Sequence, residues 1–332
     1  MVRRILVTGG AGYIGSHACK RLHQAGYEPI VLDNLSTGHR WAVRWGPLVE
    51  GDIADKALVR SVLREHRIGA ILHFAAVASV AESMVKPTKY FLNNVGGSLV
   101  LFHEAIEARV KHIILSSTCA TYGIPVDNAI HEDSPQSPVS PYGESKLFVE
   151  KALRWLEQVH GATWASLRYF NGAGADPEGD LGEVHDPETH LIPLVIDAAL
   201  GAGGPVNVYG TDYPTPDGTA IRDYVHVSDL ADAHVAALRY LQDGGASRAF
   251  NLGSGQGSSV LEVIRAVEQI GGASVPYKRA ARRPGDPARL VASARRASEI
   301  LGWSPQHSTL PTIVSTAWSW HSRMADRAAA AV

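Results

Sequence analysis

Two side chains four residues apart, Tyr142 and Lys146, are suited to removing a proton from a hydroxyl group. Residues at this spacing lie on one face of a helix. A phenol with its ordinary pKa of about 10 is a weak base at neutral pH. A neighbouring lysine ammonium, together with the positive nicotinamide ring of an oxidised dinucleotide, favours the phenolate and lowers that pKa. We therefore predict that Tyr142 is a catalytic base tuned by Lys146, although ordinary helices also contain this spacing.

The residues that precede this pair predict how it is positioned. Ser140 suits a helix N-cap and Pro141 suits the first helical position, so a helix begins where Tyr142 must be held. Further upstream, residues 111–116 read as a strand that runs into hydroxyl side chains. Ligands bind beyond the carboxyl ends of parallel strands. A hydroxyl of Ser117 or Thr118 can then hydrogen-bond a substrate oxygen as it loses its proton; the alternative is a polar turn satisfied by its own backbone.

A dinucleotide site is predicted near the amino terminus, where a short apolar strand over 3–7 runs into glycines. Apolar residues then recur at helical spacing, so Gly9, Gly12 and Gly15 lie at a strand-to-helix turn. Such glycines permit a tight turn, a close approach of pyrophosphate and close packing of helix on strand. The free N–H groups of the helix N-terminus bind phosphate. The spacing is G-x-x-G-x-x-G, whereas most dehydrogenases have G-x-G-x-x-G, so the motif needs support from its context.

An acidic residue after the next predicted strand supplies that support. The strand covers 28–32, and Asp33 follows it, 24 residues after Gly9. A carboxylate at this point accepts hydrogen bonds from the ribose hydroxyls of the adenosine and repels a 2′-phosphate, which favours NAD over NADP. The alternative is a solvated turn residue. Later strands lead into residues 51–53, placed to hold the adenine, and into residues 75–76, small enough for the cofactor to lie close.

Composition excludes several classes of function. The chain has 332 residues, 45% hydrophobic and 19% charged, and a net charge of −2, which gives no electrostatic case for nucleic acid or an anionic membrane. No apolar run approaches the ~18 residues that span a bilayer. Cys19 and Cys119 form no C-x-x-C motif and suit a reducing compartment, so we expect a cytoplasmic protein. The 15 histidines show no zinc-like spacing, and no metal site is predicted.

Strands and helices alternate through the first half of the chain. The predicted strands are 3–7, 28–32, 47–50, 69–74, 111–116 and 163–169, and the long predicted helices are 86–109 and 142–160. This alternation predicts an α/β fold with a Rossmann-type doubly wound parallel sheet and helices on both faces. Beyond Asn171 the chain becomes rich in Gly, Pro, Asp and Glu, and shorter elements follow. We therefore expect an NAD-binding Rossmann domain over 1–172 and a smaller C-terminal α/β substrate domain over 173–332.

Four longer motifs in the second half narrow the prediction. They are RYFN at 168–171, GTDYPTPDGT at 210–219, IRDYVHV at 221–227 and RRPGD at 282–286. With the glycine turn and the Tyr142 and Lys146 pair, they make the chain resemble the UDP-glucose 4-epimerases (UDP-galactose 4-epimerases) of the extended short-chain dehydrogenase/reductase superfamily. The resemblance runs from Leu6 to about Trp303.

The resemblance implies an isomerase that inverts C4 of a UDP-hexose, a reaction of galactose metabolism. Tyr142 takes the proton of the sugar 4-hydroxyl while Thr118 hydrogen-bonds that oxygen, and the hydride at C4 passes to tightly bound NAD. The 4-keto sugar then turns within the site and receives the hydride on its opposite face, without stereospecificity. Lys146 also holds the nicotinamide ribose. Because no net redox change occurs, NAD stays bound as a prosthetic group.

The resemblance also assigns binding residues. The implied cofactor-binding residues are Gly9, Gly12, Tyr13, Ile14, Gly15, Asp33, Asn34, Asp52, Ile53, Phe74, Ala75, Ala76, Asn93, Ser116, Tyr142, Lys146 and Tyr169. The implied substrate-binding residues are Thr118, Tyr142, Asn171, Leu191, Tyr209, Arg222, Val260, Arg283, Asp286 and Leu290. Arg222 and Arg283 suit a diphosphate because guanidinium forks match phosphate oxygens, Asn171 contacts the diphosphate or sugar, and Asp286 contacts the uridine ribose. Leu191, Tyr209 and Val260 line the uracil pocket, and Leu290 lies in the wall of the sugar pocket.

Departures from the family pattern leave alternatives open. Residues 77–79 (VAS) stand where some members have a lysine, and His190 replaces an asparagine common in one branch. Leu290 is intermediate between the bulky residue that excludes N-acetyl sugars and the small one that admits them, so UDP-GlcNAc remains a candidate substrate. A UDP-pentose such as UDP-xylose or UDP-arabinose also remains a candidate substrate, because none of the motifs is specific for the group at C6 of the sugar. A nucleotide-sugar dehydratase is disfavoured, because Cys119 and Ala120 replace its Asp-Glu acid pair.

Two further possibilities concern assembly and loss of function. The predicted helices over 86–109 and 142–160 carry more apolar residues than one sheet face needs. The family pairs such helices into a four-helix contact, which implies a homodimer; burial against the sheet is the alternative. A non-catalytic NAD-binding protein of the same fold is disfavoured because both Tyr142 and Lys146 are present.

Overall fold

The computed structural model describes residues 3–125, 129–283 and 285–330, and over these it contains thirteen strands and eleven α-helices. The strands are β1 (Arg4–Thr8), β2 (Glu28–Asp33), β3 (Leu48–Glu50), β4 (Ala70–His73), β5 (His112–Thr118), β6 (Thr163–Tyr169), β7 (Asn171–Ala173), β8 (Val206–Tyr209), β9 (Ile221–His226), β10 (Arg248–Leu252), β11 (Gly257–Ser259), β12 (Tyr277–Ala280) and β13 (Arg289–Leu290). The helices are α1 (Tyr13–Gln24), α2 (Lys56–Glu65), α3 (Val80–Val85), α4 (Pro87–Tyr90), α5 (Ser98–Glu107), α6 (Pro141–His160), α7 (Leu191–Ala199), α8 (Val227–Gln242), α9 (Val260–Gly271), α10 (Arg295–Leu301) and α11 (Leu310–Ala330).

The central element is a parallel sheet of seven strands in the order β10, β6, β5, β4, β1, β2, β3. The strand order reverses between β1 and β4, and in such sheets the crevice at the carboxyl ends of the strands beside this point binds ligands. The predicted doubly wound α/β fold is confirmed. The glycine turn after β1 opens directly at this crevice.

Helices cover both faces of the sheet and bury a hydrophobic cluster on each. On one face, Leu22 of α1 and Leu238 of α8 are fully buried with side chains of the inner strands. On the other face, residues of α2, α5 and α6, including Leu101 and Leu153, pack on the sheet. Burial on both faces explains why the inner strands read as continuous apolar runs rather than as alternating patterns.

The chain returns to the central sheet after leaving it. Helix α8 packs on α1, and β10 pairs with β6 in parallel at the edge of the sheet. Phe250 of β10 is fully buried in the cluster that also holds Leu22. The predicted domain boundary at residue 172 marks where the chain first leaves the sheet. It does not account for residues 227–252, because β10 in this range pairs with β6, about 80 residues upstream.

A second, smaller unit forms around β9. This strand pairs with β7 and β13 in parallel and with β11 in antiparallel, while β8 and β12 form a separate pair. Helices α7, α9 and α11 pack together over a third hydrophobic cluster that includes Val195, Val263 and Ile313. Since β7 follows β6 after a single residue, this unit is held close to the carboxyl edge of the central sheet.

The predicted long helix over 86–109 is not regular along its length. The structure has α3 before it, then α4, a π-helical segment over Phe91–Gly97, and α5. Pro87 disfavours a helical conformation at the residue before it, and Lys86 has φ −125°, which separates α3 from α4. Side-chain hydrogen bonds within the π-helical segment, described below, belong to the site, and π-helical turns are frequent at functional sites.

Helix α6 begins where the sequence predicts. Ser140 is its N-cap, and its hydroxyl accepts a hydrogen bond from the N–H of Gly143 at 3.2 Å, with Pro141 at the first position. The helix ends at Gly161, whose φ of +68° is the left-handed conformation that glycine adopts readily. None of the helices in the described ranges is both long and apolar enough to cross a membrane.

Candidate active site

The glycine turn has the backbone geometry of a phosphate cradle. Gly9 has φ +72°, and a Cβ there would lie 2.6 Å from the N atom of Ala75. A Cβ on Gly15 would lie 2.2 Å from the carbonyl oxygen of Gly9, so a larger residue would displace the turn. Gly12 is the N-cap of α1, and no side chain of the described residues caps this end. Its first N–H groups are therefore available to a pyrophosphate, and the turn fits a dinucleotide.

Tyr13 and Ile14 follow the cradle and contact the second half of the chain. The Tyr13 hydroxyl donates to the carbonyl of Gly174 at 2.5 Å. Ile14 packs against the hydrophobic cluster of α1 and α8, close to Gly172. These two residues therefore tie the start of α1 to the segment that follows β7.

Asp33 closes the β2 end of the crevice and also has a structural role. Its carboxylate accepts hydrogen bonds from the N–H of Ala11 at 2.9 Å and the N–H of Leu35 at 2.8 Å. Each carboxylate oxygen retains a second lone pair for a ribose hydroxyl. The side chain of Asn34 donates to Asp52 at 2.8 Å, so the structure brings these predicted cofactor residues together.

The loop after β4 lies across the crevice from the glycine turn. The N–H groups of Phe74 and Ala75 both donate to the carbonyl of Thr8, at 2.9 and 3.1 Å, which continues the sheet beyond its strands. Ala76 follows in the same loop. Ile53, from the loop after β3, is buried in the cluster beneath α2 and α5.

Asn94 is a buried residue that the sequence analysis did not select, although it chose the adjacent Asn93. Its side chain accepts from the N–H of Val77 at 2.9 Å, donates to the carbonyl of Val77 at 3.0 Å, and donates to the hydroxyl of Ser145 at 3.0 Å. Asn93 donates to Asn94 at 2.9 Å. Asn94 therefore holds the loop at Val77 and links that loop to α6. A single sequence offers no signal that distinguishes two adjacent asparagines.

Tyr142 lies beside the carboxyl end of β5, in contact with Thr118. A hydrogen bond with the Thr118 side chain favours the phenolate, but burial has the larger effect and raises the pKa of Tyr142 to about 12. Lys146 lies one turn further along α6, and its ammonium donates to the carbonyl of Ser116 at 2.9 Å. The structure thus brings all three predicted catalytic residues to the end of one strand.

The predicted lowering of the Tyr142 pKa depends on the nicotinamide ring as well as on Lys146, and the protein alone does not show it. Burial lowers the pKa of Lys146 to about 8, although the nearby Glu150 carboxylate opposes this shift. The ammonium is directed towards a backbone carbonyl of β5 rather than towards the phenol. Both groups are desolvated, and desolvation disfavours the charged form of each. A base at position 142 therefore needs a further positive charge in the crevice.

A buried ion pair fixes the helix that carries these residues. Arg168 of β6 donates to Glu150 of α6 through two nitrogens, at 3.0 and 2.6 Å, and both side chains are fully buried. Ser117 donates to the same carboxylate at 2.6 Å. Arg168 also donates to the Tyr122 hydroxyl at 2.7 Å, which donates to Asn251 of β10 at 2.6 Å. Ser117 therefore belongs to this network, which leaves Thr118 as the hydroxyl that faces the site.

A buried histidine holds the hydroxyl of Tyr169, which also hydrogen-bonds the side chain of Ser116. Its hydroxyl lies 2.7 Å from Nε2 of His234, whose Nδ1 lies 2.8 Å from the carbonyl of Leu230. Burial lowers the pKa of His234 to about 4, so the ring is neutral and Nε2 accepts from Tyr169. The ring of Phe74 lies 4.5 Å from that of His234. The three rings form a floor beside Ser116, which the sequence also predicted at the cofactor site.

Four of the predicted substrate-binding residues meet around β9: Asn171, Arg222, Asp286 and Leu290. Arg222 forms an ion pair with Asp286. Asn171 donates to the carbonyl of Asp223 at 2.8 Å, while Leu290 is the β13 partner of Arg222. These residues come from three parts of the sequence, and pairing of β7 and β13 with β9 brings them together.

Arg283 and Tyr209 form the next part of the same surface. The guanidinium of Arg283 lies 4.0 Å from the centre of the Tyr209 ring, a cation–π contact. Leu191 and Val260 begin helices α7 and α9 and pack on the third hydrophobic cluster. Pro284, part of the RRPGD motif, lies outside the described residues.

The long motif at 210–219 is a folded loop that supports this surface. The N–H of Tyr213 donates to the carbonyl of Gly218 at 2.9 Å, and the guanidinium of Arg282 lies 4.2 Å from the Tyr213 ring. Asp217 accepts from the hydroxyl of Ser259, the N-cap of α9, at 2.5 Å. The motif therefore positions α9 and the residues that follow β12.

An apolar wall lies next to Thr118 at the carboxyl end of β5. Cys119 and Leu290 pack against a cluster of buried residues that includes Ile130, Phe170 and Ala292. Burial raises the pKa of the Cys119 thiol to about 12, so it is neutral near pH 7. The wall next to Thr118 therefore offers shape and apolar contact rather than a second acid.

We expect Glu150→Gln to lower the free energy of unfolding by about 3–5 kcal/mol, because it leaves the buried Arg168 charge without its partner. Urea denaturation followed by circular dichroism measures this change. Glu144→Gln is the matched control, since Glu144 is exposed on the same helix, and its effect should stay within about 0.5 kcal/mol. Equal stability of the two variants would contradict the importance assigned to the ion pair.

Comparison with known proteins gives a consistent result. The sequence model of the NAD dependent epimerase/dehydratase family matches residues 5–253. The chain is 50% identical over 321 residues to the UDP-glucose 4-epimerase of Streptococcus mutans serotype c, covering 96% of each chain. The crystal structure of UDP-glucose 4-epimerase from Brucella ovis in complex with NAD superposes with a TM-score of 0.94, at 48% identity, and covers 96% of this chain and 98% of that one.

A further structure carries both ligand types. UDP-glucose 4-epimerase from Bifidobacterium longum in complex with NAD⁺ and UDP superposes with a TM-score of 0.92, at 39% identity, and covers 96% of this chain and 98% of that one. The resemblance stated from the motifs is confirmed. The chain belongs to the NAD-dependent epimerase/dehydratase family.

Proposed function

We propose that this protein is a UDP-glucose 4-epimerase that interconverts UDP-glucose and UDP-galactose. The observation that carries the proposal is the meeting of Tyr142, Thr118 and Lys146 at the carboxyl end of β5. Nearly full-length relatives named UDP-glucose 4-epimerase, at about 50% identity, support the same activity. Cys119 and Ala120 carry no acid pair after Thr118, which separates this site from a dehydratase that must eliminate water.

NAD is the cofactor, and when bound it supplies a reversible acceptor for the hydride of the sugar C4. Gly9, Gly12 and Gly15 would hold its pyrophosphate against the backbone N–H groups of α1. Asp33 would accept hydrogen bonds from its adenosine ribose, where a 2′-phosphate would be repelled. The side chain of Lys146, at the far end of the crevice, would bind the second ribose.

Tyr142 exchanges the proton of the sugar hydroxyl. Because its pKa is raised to about 12 by burial, the phenol is protonated in the protein alone at neutral pH. Lys146, with a pKa of about 8, still carries most of its charge at pH 7. A positive charge gained in the crevice stabilises the phenolate in a low dielectric, where charges interact more strongly than in water. Thr118 then keeps the substrate oxygen in line with the phenol.

The nucleotide is held while the sugar remains free to turn. Arg222, Arg283 and Asn171 would supply the polar groups on the diphosphate side. The Asp286 carboxylate, which pairs with Arg222, would bind the uridine ribose. The sugar faces the apolar wall that includes Cys119 and Leu290. Such a wall makes few directional bonds to the ring, so either face can be presented to the same acceptor.

The test is conversion of UDP-galactose by the purified protein without added NAD, with Tyr142→Phe as the variant. We expect the variant to lose at least about 1,000-fold in kcat while it keeps its nucleotide, because only the proton-transferring oxygen is removed. Products are resolved by chromatography, with UDP-GlcNAc and UDP-xylose tested in parallel. Tyr27→Phe is the control, because the Tyr27 hydroxyl hydrogen-bonds the side chain of Gln242 away from the cleft.

Undiminished turnover in Tyr142→Phe would contradict the role of the phenol. Turnover of UDP-xylose or UDP-GlcNAc alone, with none of UDP-galactose, would replace the hexose assignment with one of those sugars. Turnover of none of the three would leave a nucleotide-binding protein without this activity and would overturn the proposal.

We also propose that the protein is a homodimer joined through α6 and through the helical segment over 91–107, which consists of the π-helical turns and α5. Phe148, Trp155 and Val159 of α6 are 48%, 67% and 67% exposed and lie on one face of that helix. Leu92 and Leu99, 70% and 42% exposed and seven residues apart, lie on the neighbouring helical segment. A continuous exposed apolar surface of this kind marks an interaction site, and two copies of it pair symmetrically.

Trp155→Lys is expected to shift the protein from dimer to monomer, because it places a charge at the centre of this surface. Sedimentation velocity at micromolar concentration measures the mass. Trp41→Lys is the control, since Trp41 is 44% exposed but lies in the turn over Arg40–Ala42. A dimer that persists in Trp155→Lys, or dissociates equally in both variants, would argue against this interface.

A cytoplasmic location is the remaining part of the proposal. Cys19 is buried and Cys119 partly buried, and both are free thiols. Free thiols are kept reduced in the cytosol, whereas oxidising compartments favour disulfides.

A further inference from the structure

The loop between β7 and α7 gathers four side chains that favour metal ions. Glu183, His185, Glu188 and His190, here called the Glu-His cluster, place one ligand atom each within 4.8 Å of all the others. Their spacing in the sequence, E-x-H-x-x-E-x-H, matches none of the common zinc motifs, so the cluster does not stand out before folding. It lies outside the residues assigned to catalysis.

The separations between these ligand atoms fit a tetrahedral site. A tetrahedron around Zn²⁺, with bonds of about 2.0–2.1 Å, has edges of about 3.3 Å. Nδ1 of His185 lies 3.2 Å from Oε1 of Glu183 and 3.6 Å from Oε2 of Glu188. Nδ1 of His190 lies 3.5 Å from the other Glu188 oxygen, Oε1, and its 2.5 Å contact with Glu183 is a hydrogen bond that a central cation would replace. Two imidazoles and two carboxylates thus converge within the span of a four-coordinate ion.

Burial gives a second, independent indication. The side chains of Glu183 and Glu188 are only 4% and 12% exposed. Nδ1 of His185 is excluded from solvent, yet its contact with Glu183 lacks the geometry of a hydrogen bond, and it has no such partner in the described residues. A buried polar nitrogen without a partner is unfavourable. A metal ion between the carboxylates would satisfy it.

A neighbouring acidic cluster differs from the Glu-His cluster in how its negative charge is balanced. Asp176, Glu178 and Asp180 also converge, but the ammonium of Lys20 lies among them, at 2.8, 2.8 and 3.0 Å. That cluster has its own cation. In the Glu-His cluster, the carboxylates face histidine side chains instead, and a metal ion would take the place of the histidine protons.

We propose that the Glu-His cluster binds a divalent transition metal ion, with Zn²⁺ as the best match. Imidazole nitrogen with carboxylate oxygen in four-coordinate geometry is typical of zinc sites, and four protein ligands make the site a closed, structural one. The ion would fix the loop that leads into Leu191 at the start of α7. The same loop contacts the cofactor side, since the His185 ring lies 6.5 Å from the Tyr13 ring and the Val184 carbonyl lies 3.1 Å from Nε2 of His39.

The test uses the full-length protein without a histidine tag, treated with a chelator and then titrated with Co²⁺ and Zn²⁺. We expect one Co²⁺ per chain with the intense visible absorption of tetrahedral Co²⁺, displaced by Zn²⁺, and a rise in Tm on adding Zn²⁺. The double substitution His185→Ala/His190→Ala should weaken Zn²⁺ binding at least about 100-fold. Both histidines are partly exposed, so these changes leave the buried Glu183 in place.

His23→Ala/His131→Ala is the matched control, because it removes two exposed histidines outside the cluster. It should bind Zn²⁺ as the unchanged protein does. Equal affinity of the two double variants, a Co²⁺ spectrum without tetrahedral bands, or no binding at all would each overturn the proposal. These readouts are independent of epimerase activity, so the metal site and the enzymatic function are tested separately.

Discussion

The position of the reacting groups depends on the buried ion pair between Glu150 and Arg168. It joins α6, which carries Tyr142 and Lys146, to β6, and through Ser117 it reaches the strand that ends at Thr118. A buried charged pair is costly unless its hydrogen bonds are made, and here Ser117, Tyr122 and the carbonyl of Glu132 also bond to the pair. The network makes α6 rigid and thereby fixes the phenol of Tyr142 relative to β5.

The same burial determines how the site works electrostatically. It raises the pKa of Tyr142 and lowers that of Lys146, so the protein alone disfavours charge on either group. A base is formed only when the crevice also holds a positive charge. The site is therefore incomplete without its nucleotide, and oxidation of the sugar is coupled to the presence of the group that accepts the hydride.

Much of this could be predicted from local patterns, and the failures have physical causes. The strand–helix alternation, the glycine turn and the N-cap at Ser140 are encoded by neighbouring residues, and the structure agrees with them. The return of β10 to the sheet is a pairing between distant segments, which local patterns do not specify. Asn94 and the Glu-His cluster were not identified from the sequence, because their significance arises only from contacts made in the folded chain. Lys146 and the nicotinamide ring together were predicted to lower the pKa of Tyr142, and in the protein alone burial raises it.

The central claim is that the chain retains NAD and uses it to invert a sugar carbon without net oxidation. The most direct measurement is the nucleotide content of the purified protein, released by denaturation and quantified enzymatically before and after many turnovers. The account predicts about one NAD per chain, unchanged by turnover. A protein that holds no nicotinamide nucleotide and takes none up when it is supplied would contradict it.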